Sequence, residues 1–326
     1  MTVKKHTNTS WLSVLRNKFF EYTRTSRLSA WMTASVFFLL GEWYSLGSIP
    51  LYQTIIALIA LGGLLSSTSW INFVFDKDLD SFAGQDVDFF KHTPPREMLF
   101  VSTIISIASL ALLFYLGYLL FLTGLLILIV GVLYSAPPLR FKIHPPLDSI
   151  SNALEFGTLP LLLGLFFAKN INFNSVPIAL LTISGLIVIS YYLIIDILDL
   201  ETDKNYGVKT SVTLLGLNWS INVSLIIYFL SLILSIIFVG LFTPISISLV
   251  VSAPLVLIVK IKNDHDSVAK ILSTISLVWT EIVLLYLFAL SRSIIPLLIS
   301  VLVFLSALYF IYVYITLVKK TKRIKK

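Results

Sequence analysis

Two acidic clusters, each closing a long apolar run, carry the chemistry open to this chain. The first reads Asn72-Phe-Val-Phe-Asp76-Lys-Asp78-Leu-Asp80 and the second Asp196-Ile-Leu-Asp199-Leu-Glu201-Thr-Asp203. Asn72, Asp76 and Asp80 stand at i, i+4 and i+8, and Asp196, Asp199 and Asp203 at i, i+3 and i+7. On a helix, either spacing puts the three oxygen-bearing side chains on one face. Carboxylates packed that closely repel one another unless a cation sits among them. Hard oxygen ligands suit Mg2+, which is held by a few carboxylates together with substrate phosphates. The expected metal set is therefore Asn72, Asp76, Asp80, Asp196, Asp199 and Asp203. Two such faces beside a membrane point to a diphosphate gripped between metal ions, on a substrate whose remainder is lipid. Asp78 points about 200° away from Asp76 and reads as solvated. Taken singly, either cluster could be no more than solvated helix-end residues; two with helical spacing at one membrane face weaken that reading.

Basic and polar residues accompany the acids. Lys204 and Lys209 follow the second cluster and can meet a phosphate as point charges, although loop lysines at a membrane edge need no such role. Tyr134-Ser135-Ala136-Pro137-Pro138-Leu139-Arg140-Phe141-Lys142 ends an apolar run at a double proline. If the chain beyond it is extended, Arg140 and Lys142 fall on one side as an anion clamp. Glu42, Glu155 and Glu281 lie inside apolar runs, where charge is expensive and usually functional. Glu155 follows Asp148-Ser149-Ile150-Ser151-Asn152, a polar face that must look into the bundle and could line an acceptor pocket. Helix-to-helix hydrogen bonding is the plainer alternative there. The four histidines, His6, His92, His144 and His265, form no metal set.

The elements that must position these groups are membrane helices. The chain has 326 residues, 57% of them hydrophobic and 13% charged, with a mean hydropathy of +0.93. Soluble domains carry about 25% charged residues. Apolar runs of about 20 residues, enough to cross a bilayer, fall near 28–46, 51–72, 98–117, 118–136, 149–168, 176–196, 218–241, 244–261, 269–290 and 294–318. With the N-terminus inside, every one of the 24 Lys and Arg residues except Lys169 and Arg292 lies on the inner side. That bias places both termini and both acidic clusters on the cytoplasmic face. The net charge of +7 is thus a matter of topology, and no nucleic-acid partner is implied. There is no cysteine, so thiol catalysis and disulfides are excluded. The first 27 residues lack the apolar stretch of a signal peptide. The expected organisation is a basic segment 1–27, one transmembrane domain 28–318 and a basic cytoplasmic tail 319–326, with no obligate protein partner evident.

Asn72-x3-Asp76-x3-Asp80, the Tyr134-to-Lys142 turn and Asp196-x2-Asp199-x3-Asp203-x3-Gly207-x-Lys209-Thr210 resemble, in order and spacing, the UbiA superfamily of intramembrane prenyltransferases. Arg27 with Trp31 is similar to the opening of that family's first helix. The resemblance spans roughly residues 20–290. It implies an all-α polytopic membrane bundle of nine or ten helices around a central cavity with cytoplasmic capping loops. It also implies Mg2+-dependent transfer of an isoprenoid chain from a prenyl diphosphate to a lipophilic acceptor. Asp76, Asp80, Asp196, Asp199 and Asp203 would then be catalytic, with Asn72, Arg140, Lys142, Lys204, Lys209 and Arg27 on the diphosphate. Tyr134, Asp148, Asn152 and Glu155 would line the acceptor pocket. Phe73 stands where members commonly carry Asp, and Gly84-Gln-Asp86-Val-Asp88 replaces an Arg-Pro run. Arg140-Phe-Lys142-x2-Pro145-x-Leu147-Asp148-Ser149-x-Ser151-Asn152 looks most like the branch that elongates lycopene. Quinone-precursor and archaeal ether-lipid prenyltransferases are the alternatives inside the family. A secondary transporter and an inactive membrane scaffold are the alternatives outside it; transporters place their ion sites on broken helices at the midplane, and these acids lie at helix ends.

Overall fold

The computed structural model describes residues 11–78, 93–168, 171, 173–261 and 265–305. Every regular element among them is helical. Helix α1 is Trp11–Thr25, α2 Leu28–Leu46, α3 Leu51–Phe75, α4 Pro95–Leu116 and α5 Tyr118–Ser135. A 3-10 turn at Phe141–Ile143 leads to α6, Leu147–Ala153, which continues through a π turn, Leu154–Thr158, into α7, Leu159–Leu165. Helix α8 is Ser175–Ile195, followed by a 3-10 turn Asp196–Asp199 and α9, Leu200–Tyr206. Then come α10, Ser211–Phe238, α11, Pro244–Ile261, α12, His265–Ser291, and α13, Ile294–Leu305. Each of the ten apolar runs falls on helix. Seven helices are long and apolar enough to cross a membrane; α2, the α6–α7 composite and α13 carry the other three runs. The end of the last run, the tail 319–326 and most of the loop carrying Asp80, Asp86 and Asp88 lie outside the described residues.

Local chemistry sets the breaks. Helix α2 ends at Gly47, whose φ of 66° no other residue adopts cheaply. Helix α4 starts with Pro95 at its first position, where the missing N–H costs nothing. Pro160 lies early in α7; it cannot donate to the preceding turn and crowds the carbonyl four residues back. The helix accommodates it by widening into the π turn. The run at 149–168 is therefore not one smooth helix. Thr210 caps α10 through a reciprocal box with Thr213, and the helix breaks at Gly216 before its membrane part. The span expected from 218 thus begins after a short capped turn.

Packing follows membrane rules, with small residues where helices cross and hydroxyls as glue. A methyl at Gly164 of α7 would collide with the α2 backbone at Phe38 and Glu42. Ser190 of α8 and Ser224 of α10 pair side by side at 3.1 Å. The Tyr228 hydroxyl of α10 bonds Ser252 of α11 at 2.7 Å. Glu42 accepts from Thr54 of α3 at 2.7 Å, and Glu281 accepts from Ser300, tying α12 to α13. Two of the intramembrane acids thus serve as inter-helix links. Large exposed apolar side chains such as Phe100, Ile107 and Ile226 coat the outside, as lipid contact requires. The chain ends of α3 and α5, the start of α6 and the end of α8 meet at one end of the bundle.

Candidate functional site

The site grows from the junction of α1 and α2. Arg27 stands there with φ 48°, and its guanidinium donates to the Asn72 carbonyl oxygen at 2.9 Å. The Asn72 amide in turn donates to the Ser135 hydroxyl at 2.9 Å. One residue past α3, Asp76 accepts from Arg140 at 3.1 Å and from the Lys142 ammonium. Arg140 and Lys142 therefore do converge, but not from an extended strand. Arg140 has φ 40° and Lys142 sits in the 3-10 turn, because the chain after the double proline coils back onto α3. Burial and the nearby Arg27 charge push the Lys142 ammonium down to about 8, against the pull of Asp203.

The second cluster is not one α-helical face. Asp196 to Asp199 form a 3-10 turn and Asp203 follows within α9. In a three-residue turn, Asp196 and Asp199 eclipse, so the acids still gather. The charges of Asp148, Asp199 and Asp203 all bear on Asp196, with Arg27 opposing them. Asp203 is buried, while Asp199, Lys204 and Lys209 are exposed. Among the described residues no three carboxylate or imidazole groups converge tightly enough to be a ready metal nest, and Asp80 lies outside those residues. The donor chemistry of the second cluster nonetheless fits a hard cation: carboxylate oxygens whose charges bear on one another, opposed by one guanidinium.

Asp148 has a task the sequence did not reveal. One oxygen accepts from the Ser211 backbone N–H and the other from the Ser211 hydroxyl, both at 2.6 Å. It caps the start of α10 rather than lining a cavity, although its charge still reaches Tyr134. Glu155 sits in the π turn, 3% exposed, and accepts from Thr68 of α3 at 2.6 Å. Gly131 of α5 makes room for this pair; a methyl there would strike both Thr68 and the Glu155 carboxyl. Thr68 gave no signal in the sequence beyond being a hydroxyl in an apolar run. Tyr134 and Asn152 line the same pocket. The Asn152 amide nitrogen is buried with no partner, an orphan donor of the kind that a ligand satisfies.

Two cavities meet here. A small polar one is lined by Arg27, Asn72, Tyr134, Asn152, Glu155 and Phe156, among others. A larger cleft is walled by α2, α8, α10, α11 and α12, with Ile187, Tyr191, Tyr192, Ile195 and Trp279 among its apolar and aromatic lining. Phe156 lines both, and its ring stacks on Tyr192 with centroids 5.7 Å apart. Sequence reasoning had no means to select Phe156 and Trp279 from so many aromatic residues.

A membrane bundle that joins a cation- and amide-lined pocket to an apolar cleft is shaped for a substrate with an anionic head and a hydrocarbon tail. The chain belongs to the UbiA prenyltransferase family, whose defining pattern matches residues 30–271. A lycopene elongase/hydratase from Haloarcula japonica is 31% identical over 150 residues, 45% of this chain and 49% of the relative; the match thus spans about half that relative's length. The fold matches a UbiA homologue from Archaeoglobus fulgidus bound to GPP and Mg2+, with a TM-score of 0.64 at 22% identity, over 84% of this chain and 100% of the other. It also matches a digeranylgeranylglyceryl phosphate synthase, with a TM-score of 0.61 at 17% identity, over 85% and 99% of the two chains.

Proposed function

We propose that the protein transfers an isoprenoid chain from an allylic prenyl diphosphate to a polyene acceptor such as lycopene, within the membrane and with Mg2+. The observation that carries this reading is the junction of the two cavities at Phe156 and Tyr192. The diphosphate takes the polar side, where Arg27, Arg140 and Lys142 supply positive charge and the orphan Asn152 amide supplies a donor. Lys204 and Lys209 stand ready at the rim. The hydrocarbon takes the cleft. Mg2+ is the natural counter-charge for Asp196, Asp199 and Asp203, with Asn72 and Asp76 on the opposite side; Asp80, which the motif adds to them, lies outside the described residues. Once bound, it neutralises charge on the diphosphate leaving group. In this conformation Asp76 is already neutralised by Arg140 and Lys142, so those two cations exchange a carboxylate for a phosphate when substrate enters.

The chain's own residues do the rest. The basic side chains stabilise the departing diphosphate. The faces of Tyr134 and Tyr192 can stabilise an allylic cation, and the apolar cleft excludes the water that would capture it. Positive-inside charge supports a cytoplasmic site mouth with both termini on that side. The polyene acceptor is supported by the Haloarcula relative and by the Arg140-to-Asn152 stretch; the ether-lipid synthase in the fold comparison has its likeness at 17% identity. The test is expression in a lycopene-producing host, with extraction of prenylated carotenoid as the expected outcome. Absence of that product, with prenylation of a glycerol-phosphate ether or an aromatic acid in parallel hosts, would overturn the polyene acceptor. Separately, Arg140→Ala should raise the KM for the allylic diphosphate about tenfold and leave that for the acceptor unchanged, on the scale of one lost charged hydrogen bond.

A further inference from the structure

Attack of an allylic cation on a carbon–carbon double bond leaves a cation on the acceptor, and that cation must lose a proton to become the product alkene. The group that takes the proton must be a base, must sit out of bulk water, and must lie where the polar pocket opens onto the hydrocarbon cleft. Searching the bundle for such a group leaves few. Glu42 and Glu281 line neither the polar pocket nor the apolar cleft. Asp148 is consumed by Ser211. The second acidic cluster belongs to the diphosphate.

Glu155 meets all three demands. It is buried and lines the polar pocket. Its chain neighbour Phe156 lines both cavities, and its charge reaches Tyr192 on the cleft side. Thr68 donates to it and Arg27 lines the same pocket, a donor and a cation that offset part of the cost of burying a carboxylate. Holding α3 against α6 does not need a carboxylate, since an amide oxygen would accept from Thr68 equally well. A charge inside hydrocarbon that mere bonding does not require reads as function. The π turn that presents it is the kind of local widening that recurs at functional sites.

We propose that Glu155 is the proton acceptor that ends the transfer. This deepens the prenyl-transfer reading and rests on it. The allylic C–O bond breaks with its electron pair leaving on the diphosphate, and the acceptor double bond supplies the electrons of the new C–C bond. A C–H bond beside the resulting cation then breaks. Its electrons form the product double bond and its proton passes to a Glu155 carboxylate oxygen.

The experiment uses the full chain in detergent with Mg2+, an allylic diphosphate and lycopene, and counts released diphosphate, prenylated alkene, prenylated alcohol and free prenyl alcohol together. Wild type should couple diphosphate release to product. Glu155→Gln keeps the Thr68 hydrogen bond and removes the base. It should hold diphosphate release within about twofold, cut the alkene product about a hundredfold, the scale of general-base loss, and return the difference as alcohol: water added to the cationic carbon of the prenylated acceptor, or prenyl alcohol where the new C–C bond breaks again and water takes the allylic cation. Equal loss of release and product, in a variant that melts at the wild-type temperature, would assign Glu155 to binding or packing and overturn the proposal. So would unchanged product. Should Glu155→Gln fail to fold, Glu155→Asp decides: a carboxylate set back by one methylene should shift the balance from product toward alcohol, and an unchanged ratio overturns the proposal. No diphosphate release by wild type with any allylic donor would instead sink the prenyl-transfer reading itself.

Discussion

Asp76 and Asp196 carry the same charge in opposite settings, and that contrast separates their stability roles from their shared chemical one. Asp76 is answered by Arg140 and a buried Lys142. Asp76→Asn strands that ammonium, and breaking one partner of a buried pair costs about 3–5 kcal/mol. The variant should melt earlier without Mg2+. Asp196 faces three like charges, so Asp196→Asn should melt at or above the wild-type temperature under the same conditions. Both should lose about a hundredfold in Mg2+-dependent turnover, the scale for one electrostatic stabiliser. Melting curves in detergent and diphosphate release check the pair; equal destabilisation by both would refute the electrostatic account. The sequence told which residues carry charge and at what spacing. It did not tell which charges already have partners, because Arg27 and Asn72, or Lys142 and Asp76, meet only through folding.

At the scale of elements, apolar length made every described membrane helix legible, and the double proline marked one of the stops. What stayed hidden were local adjustments of register. The π turn arises from Pro160 acting on a helix already fixed by packing, and it decides which way Glu155 looks. The same blindness hid the partner of Asp148. Its spacing put it on the polar stripe with Asn152 and Glu155, yet it reaches sideways to cap α10 at Ser211, a partner 63 residues away in the chain. This makes a sharp prediction. Asp148→Ala removes two hydrogen bonds from a buried cap and should cost about 1–3 kcal/mol, seen as a lower melting temperature. Well below that temperature, KM for donor and acceptor should stay near wild type. A selective rise in acceptor KM, with melting unchanged, would restore Asp148 to the acceptor pocket.

At the scale of the whole molecule, the arrangement places chemistry at one end and length discrimination along the axis. Helix α8 runs from deep in the bundle to the acidic end, and its residues Ile187, Tyr191 and Ile195 line the cleft one turn after another. Ile187 lies eight residues before Ile195, so it is about 12 Å further from the diphosphate end at the usual helical rise. A bulky side chain there leaves the reacting end untouched and shortens the room for hydrocarbon. Ile187→Trp should therefore act as a ruler. With a short allylic donor, kcat/KM should stay within about twofold of wild type. With a donor long enough to pass Ile187, it should fall about tenfold or more, since losing the fit of a methylene or two is worth about 1–3 kcal/mol. Varying the acceptor at fixed donor should change nothing if the donor chain runs along α8. If the loss instead follows acceptor length, the cleft holds the acceptor and the donor chain takes another route. An equal loss with every pair would mean that the substitution disturbed packing between α8, α10 and α12 rather than the space between them.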